Sequence, residues 1–156
     1  WLDSYIIALA KSKASSAAQA VAALARKIGP TSEYSHVRAV AMYFEAIGDA
    51  KYAPLLAEKL RIPEIAGNHF SWEKNGAPAL KEYDIYNFKS KNKRLCRGAA
   101  GISDGERSSC LKELTLARAL FRLGDSDGLG RRTLEAYAAD PRRAYAAHAR
   151  LVLEGE

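Results

Sequence analysis

The chain is 156 residues long, 48% hydrophobic and 27% charged, with only five prolines; this excludes a disordered tract and suits one domain with its own core. No apolar run approaches the roughly 18 residues that span a bilayer, so no segment reads as a membrane helix. The formal net charge of +6 permits an anionic partner but carries no information about fold.

The chain opens at Trp1 with neither an initiating Met nor an apolar leader, and is read as a segment of a longer protein. A first helical hairpin is expected over about 2–28. Tyr5, Ile6 and Leu9 give one apolar stripe, "KSKASS" is a polar turn with Ser15 or Ser16 as the cap, and Val21, Leu24 and Ile28 give the second stripe ahead of Gly29-Pro30. A second hairpin is expected over 33–61. Val37, Val40, Ala41, Phe44 and Ile47 recur at helical spacing, and Gly48 then provides a residue that tolerates the left-handed backbone ending a helix. Asp49 follows as a carboxylate cap for the next helix, whose apolar face is Tyr52, Leu55, Leu56 and Leu60.

Residues 62–106 break the rhythm, with many Gly, Asn, Ser, Lys and aromatic residues, and are expected to form a long insert. A short helix near Pro78–Tyr83, capped by Asn75, and a turn after Pro63 are expected within it. His69, Phe70, Trp72, Tyr83, Tyr86 and Phe88 are candidates to anchor it on the scaffold. Local function is expected here, since long loops on rigid supports carry binding. The run "KSKNKRLCR" holds Lys89, Lys91, Lys93, Arg94 and Arg97, which suit phosphate contacts, with Trp72 or Tyr86 for stacking on bases; the same run also suits a plain solvated loop.

The helical pattern then resumes in a third hairpin over 107–139. Leu116, Ala117, Leu120 and Leu123 restore the stripe, Gly124 restores the stop, Asp125 or Asp127 restores the cap, and Leu129, Leu134 and Tyr137 continue on the second helix. Gly48-Asp49 and Gly124-Asp125 superpose at a shift of 76 residues (124 − 48), as do Phe44 on Leu120 and Ile47 on Leu123. A closing helix over 141–153 has Asp140 as cap, Pro141 at its first position and Gly155 as its stop. Every periodic segment repeats near 3.6 residues, so the fold class is all-α: an α-α superhelix of helical hairpins with one long insert, as a single domain.

Chemical signatures are wanting. The sequence has no dinucleotide-binding or phosphate-loop glycine pattern, no paired-histidine zinc helix and no nucleophile elbow. His36, His69 and His148 are far apart in sequence, and acidic neighbours such as Asp125 and Asp127 read as caps. No catalytic residue, metal site or cofactor is therefore assigned. Cys96 and Cys110, with 13 residues between them, match no zinc pattern; they can form a disulfide in an oxidising compartment or stand as two thiols in a reducing one.

The units "HVRAVAMYFEAIGDAKYAPLLAEKL" and "LKELTLARALFRLGDSDGLGRRTLEAY" resemble HEAT-like repeats, in which a helix ends at Gly-Asp and a second helix returns. The last third, "LKELTLARALFRLGDSDGLGRRTLEAYAADPRRAYAAHARLVLEG", resembles the helical C-terminal region that follows the flavin domain in some bacterial FAD-dependent oxidoreductases. That resemblance implies an accessory domain without a flavin-binding motif of its own, in a parent protein that is exported to the periplasm or beyond. Export in turn favours a Cys96–Cys110 bridge.

The expected function is a non-catalytic scaffold that packs on a neighbouring domain or protein partner. The alternatives are a basic nucleic-acid-binding module, such as a helical-repeat DNA glycosylase, and an enzyme built on repeats. Limited trypsin digestion read by mass spectrometry should cut first between Lys89 and Arg97, leaving two helical halves associated. First cleavage at Arg26 or Lys59 would overturn both the insert and the repeat assignment.

Overall fold

The computed structural model describes residues 1–70, 104–125, 127–140 and 142–155. All regular structure among them is helical: α1 (Leu2–Lys11), α2 (Ala18–Arg26), α3 (Tyr34–Ile47), α4 (Ala53–Leu60), α5 (Asp104–Arg122), α6 (Leu129–Ala138) and α7 (Arg143–Glu154), with 3₁₀ turns at Ser15–Ala17 and Ala50–Tyr52. The all-α expectation holds for these residues. None of these helices is long and apolar enough to cross a membrane.

The stripes that define the helices also define the core. Val37, Val40, Ala41 and Phe44 of α3 are buried, as are Leu56 and Leu60 of α4, Leu116, Ala117 and Leu120 of α5, and Leu134 and Tyr137 of α6. Each buried Leu, Val or Phe contributes roughly 1.5–3 kcal/mol of transfer free energy. Packing skips along the first half of the chain and then follows it: α1 lies on α3 and α3 on α5, then α5 on α6 and α6 on α7, while α4 lies against α5 and α2 touches both α3 and α4. Tyr5 departs from the expected first stripe. It is 70% exposed, while Ile6, one residue on, supplies the buried contact. Adjacent residues on a helix point about 100° apart, so only one of the two can face α3.

The two Gly-Asp joints share a left-handed glycine, but its N–H reaches four residues back in the first and three in the second. Gly48 has φ +68° and its N–H donates to Phe44 O at 3.0 Å; Gly124 has φ +85° and its N–H donates to Phe121 O at 3.4 Å. They differ beyond it too. Asp49 accepts from Lys51 N at 3.2 Å and opens a 3₁₀ turn directly. In the longer second turn both expected aspartates act: Asp127 accepts from Leu129 N at 3.2 Å, and Asp125 reaches Arg131 N at 2.8 Å.

Other expected caps are corrected. Neither Ser15 nor Ser16 caps a helix with its side chain; Ala14 precedes the 3₁₀ turn and Ala17 precedes α2. α5 starts at Asp104, ahead of the expected 107, so the interruption ends sooner. Its opening is ordered too: Ile65 is fully buried, and the N–H groups of Ile65 and Ala66 donate to Ile62 O. α7 starts at Arg143, and Gly155 closes it with φ +91°.

Gly130 is not singled out by the sequence, yet a side chain there has less room than at Gly29, Gly48, Gly124, Gly128 or Gly155. A Cβ there would stand 2.8 Å from Ala117 O and 3.0 Å from Phe121 N, because α6 approaches the backbone of α5. Gly48→Ala and Gly124→Ala, with open space around them, should each cost about 1 kcal/mol from the left-handed backbone alone. Gly130→Ala should cost more, about 2–3 kcal/mol, by prying α6 from α5. Urea unfolding of the three variants checks the ranking; equal stability at Gly130 would disprove the close approach.

Candidate functional site

Two buried carboxylates, Glu113 and Asp140, meet the chain where it leaves the core at residues 67–70. Four elements meet there: the 67–70 segment, the first half of α5, the end of α6 and the start of α7. Glu113 lies on the buried face of α5, four residues before Ala117, so helical periodicity carries its carboxylate inward. There it accepts from Gly67 N and Asn68 N, both at 2.7 Å, and from Tyr137 Oη at 2.8 Å. Asp140, just past α6, accepts from Phe70 N at 2.7 Å and from Arg142 N at 2.8 Å. It also pairs with the Arg142 guanidinium through Nε at 2.8 Å. The expected role of Asp140 as cap of the closing helix, with Pro141 at the first position, is corrected: α7 starts at Arg143, Arg142 precedes it, and no side chain caps it. Asp140 serves the backbone just ahead of α7, and it also holds a segment 70 residues distant in the chain.

Arg142 completes the cluster. Its Nη2 donates to Asn68 O at 2.8 Å, its Nη1 to Cys110 Sγ at 3.3 Å, and its guanidinium lies 5.0 Å from the ring centre of Tyr145. Tyr137 stands between the edges of His69 and Tyr145, with ring centres 6.0 and 6.1 Å away. Burial and the adjacent Glu113 carboxylate push the Tyr137 hydroxyl far above the usual phenol range. Burial pulls against the charge on Arg142, but the bond to Asp140 more than compensates and the guanidinium is held firmly charged. Tyr145 is pushed up to about 12, chiefly by burial, and its hydroxyl has no hydrogen-bond partner among the described residues.

Cys110 is a free, buried thiol that donates to Asn68 O at 3.4 Å. Burial raises its pKa although Arg142 pulls the other way, so the sulfur is held as a protonated thiol. Reactive cysteines need the opposite balance. The two carboxylates are likewise occupied, each by at least two backbone amides and a buried side chain. The arrangement is a two-point clamp on the 67–70 backbone: Glu113 grips Gly67 and Asn68, and Asp140 grips Phe70.

No family model, curated protein or solved structure matches the chain.

Of the residues expected to bind, Trp72, Tyr86, Lys89, Lys91, Lys93, Arg94 and Arg97 lie outside the described residues, as do Tyr83, Phe88 and the helix expected near Pro78–Tyr83. So does Cys96; its expected partner Cys110 stands as the thiol just described. His69 joins the clamp, half-buried. His148 stands elsewhere, where burial, then Arg118 and Arg122, lower its pKa, with Glu45 opposing. Glu113, Tyr137 and Arg142 were not anticipated as a polar site. The available signal was a carboxylate on an apolar stripe, since Glu113 precedes Leu116 by three residues and Ala117 by four.

The clamp separates by mutation. Glu113→Gln should speed hydrogen exchange at the Gly67 and Asn68 amides while Phe70 stays protected, and Asp140→Asn should do the reverse. Arg142→Ala, which strips a buried carboxylate of its cation, should cost about 3 kcal/mol in urea unfolding. Equal deprotection of all three amides in both carboxylate variants would rule out two independent grips.

Proposed function

We propose that this chain is a non-catalytic helical scaffold, an α-α superhelix of HEAT-like hairpins that packs on a neighbouring domain or protein partner. The observation that supports it best is the outer face of α1. Tyr5 is 70% exposed and Leu2 45%, on a helix whose other side lies against α3. The end of a helical stack that faces water needs a polar surface, and an apolar one calls for a cover. The repeated left-handed joint at Gly48 and Gly124 supports the repeat reading. The clamp suits a scaffold as well, because its polar groups are engaged with one another and with backbone.

Under the resemblance of the last third to oxidoreductase C-terminal regions, the neighbour would be a flavin domain. The nucleic-acid alternative rests on Lys89, Lys91, Lys93, Arg94 and Arg97, and predicts a gel shift that weakens steeply with salt.

A photo-cross-linking residue, p-benzoylphenylalanine, placed at Tyr5 in the whole gene product and irradiated in cells should give one discrete adduct mapping to one folded segment. The same probe at Glu154, exposed at the end of α7, should not give that adduct. Absence of any adduct at Tyr5, or an adduct identical to that at Glu154, would overturn the proposal.

A further inference from the structure

We infer that the groove between α2 and α4 takes a short peptide segment of a partner protein in which a carboxylate stands beside an apolar side chain. The inference rests on the scaffold reading and names what one of its surfaces would hold. The groove has a volume of about 480 Å³, with Gln19 and Arg26 on the α2 side and Tyr52, Pro54, Leu55 and Glu58 on the α4 side. Tyr52, Pro54 and Leu55 give it an apolar floor suited to an aliphatic or aromatic side chain.

Its charges are unevenly matched. Lys51, at the rim, pairs with Asp49 at 2.6 Å, and Glu58 pairs with Lys59 at 3.0 Å. The Arg26 guanidinium has no partner among the described residues; it is the Arg26 carbonyl that binds, accepting from Lys59 Nζ at 2.9 Å. One unanswered, planar, two-pronged cation beside an apolar floor fits a carboxylate flanked by an apolar residue, because guanidinium and carboxylate geometries match.

The test is a nuclear magnetic resonance titration of the intact chain with two acetylated, amidated tetrapeptides, Leu-Glu-Phe-Glu and its uncharged analogue Leu-Gln-Phe-Gln. The acidic peptide should shift the amides of Arg26, Lys51 and Leu55 and bind about threefold more tightly than the amide analogue, as expected for an exposed ion pair. Arg26→Gln should bring the two peptides to equal affinity without unfolding the chain, since the bond from Lys59 goes to its backbone. Equal affinities on the parent chain, or shifts that cluster away from the groove, would overturn the assignment. If the peptides miss the groove while the probe at Tyr5 still cross-links to one neighbour, the groove assignment fails and the scaffold reading stands.

Discussion

Helices that pack this closely bury polar side chains along with apolar ones, and each buried polar side chain must find a partner that replaces water: Tyr43, Lys59, Lys112, Glu113 and Asp140 are all buried. The rest of the structure depends on how those groups are met. Tyr43 Oη on α3 donates to Ala14 O, in the turn between α1 and α2, at 2.7 Å. Lys59 of α4 donates to Arg26 O at the end of α2, and Lys112 of α5 donates to Pro30 O at 2.7 Å, ahead of α3. Glu113 and Asp140 do the converse for N–H groups at 67–70. In each case a side chain from one element closes a loop of another. A buried group left unmet costs about 1–3 kcal/mol, so each polar reach fixes the spacing between successive hairpins more tightly than apolar contact could.

The second constraint is size. Ala22, Ala25, Ala39, Ala41, Ala117 and Ala119 are completely buried, and Gly130 meets the backbone of α5 where even a methyl group would not fit. Small residues let helix axes approach, and approach is what brings the turn of one element within reach of a side chain on another. The polar reaches and the alanine rows are therefore two sides of one arrangement. Larger side chains at the seams would move the turns away and leave Lys59 and Lys112 buried without their acceptors.

This explains what could be read in advance and what could not. The stripes of α3, α4, α5 and α6 were legible because periodicity is a local property, and the joints at Gly48 and Gly124 because φ > 0 singles out glycine. The clamp was not legible as a site. Glu113, Lys112 and Lys59 each occupy buried helix positions, a visible anomaly, but the partner that makes each tolerable lies 33 to 82 residues away in the chain. Tyr137 read as one more apolar contact and Asp140 as a simple cap, since nothing local reports that Phe70 N or Asn68 O will arrive beside them. Tyr5 failed for a related reason: on a short helix with one neighbour, spacing alone does not decide which of two adjacent apolar residues faces it.

The same physics sets the charge states within the clamp. Tyr137 and Cys110 are driven to hold their protons, Arg142 to keep its charge, and the two carboxylates face donors from several elements. The seam between α3 and α5 follows suit, with Glu45 taking Arg118 Nε at 3.1 Å and pairing with Arg122 as well, so that one carboxylate joins two helices. Polar chemistry in the described core is thus directed inward, to backbone and to opposite charge. What faces outward is of another kind: apolar side chains on α1, and a groove beside α2 lined by Arg26, whose guanidinium has no partner among the described residues. The inward-facing bonds hold these surfaces in fixed relation to each other.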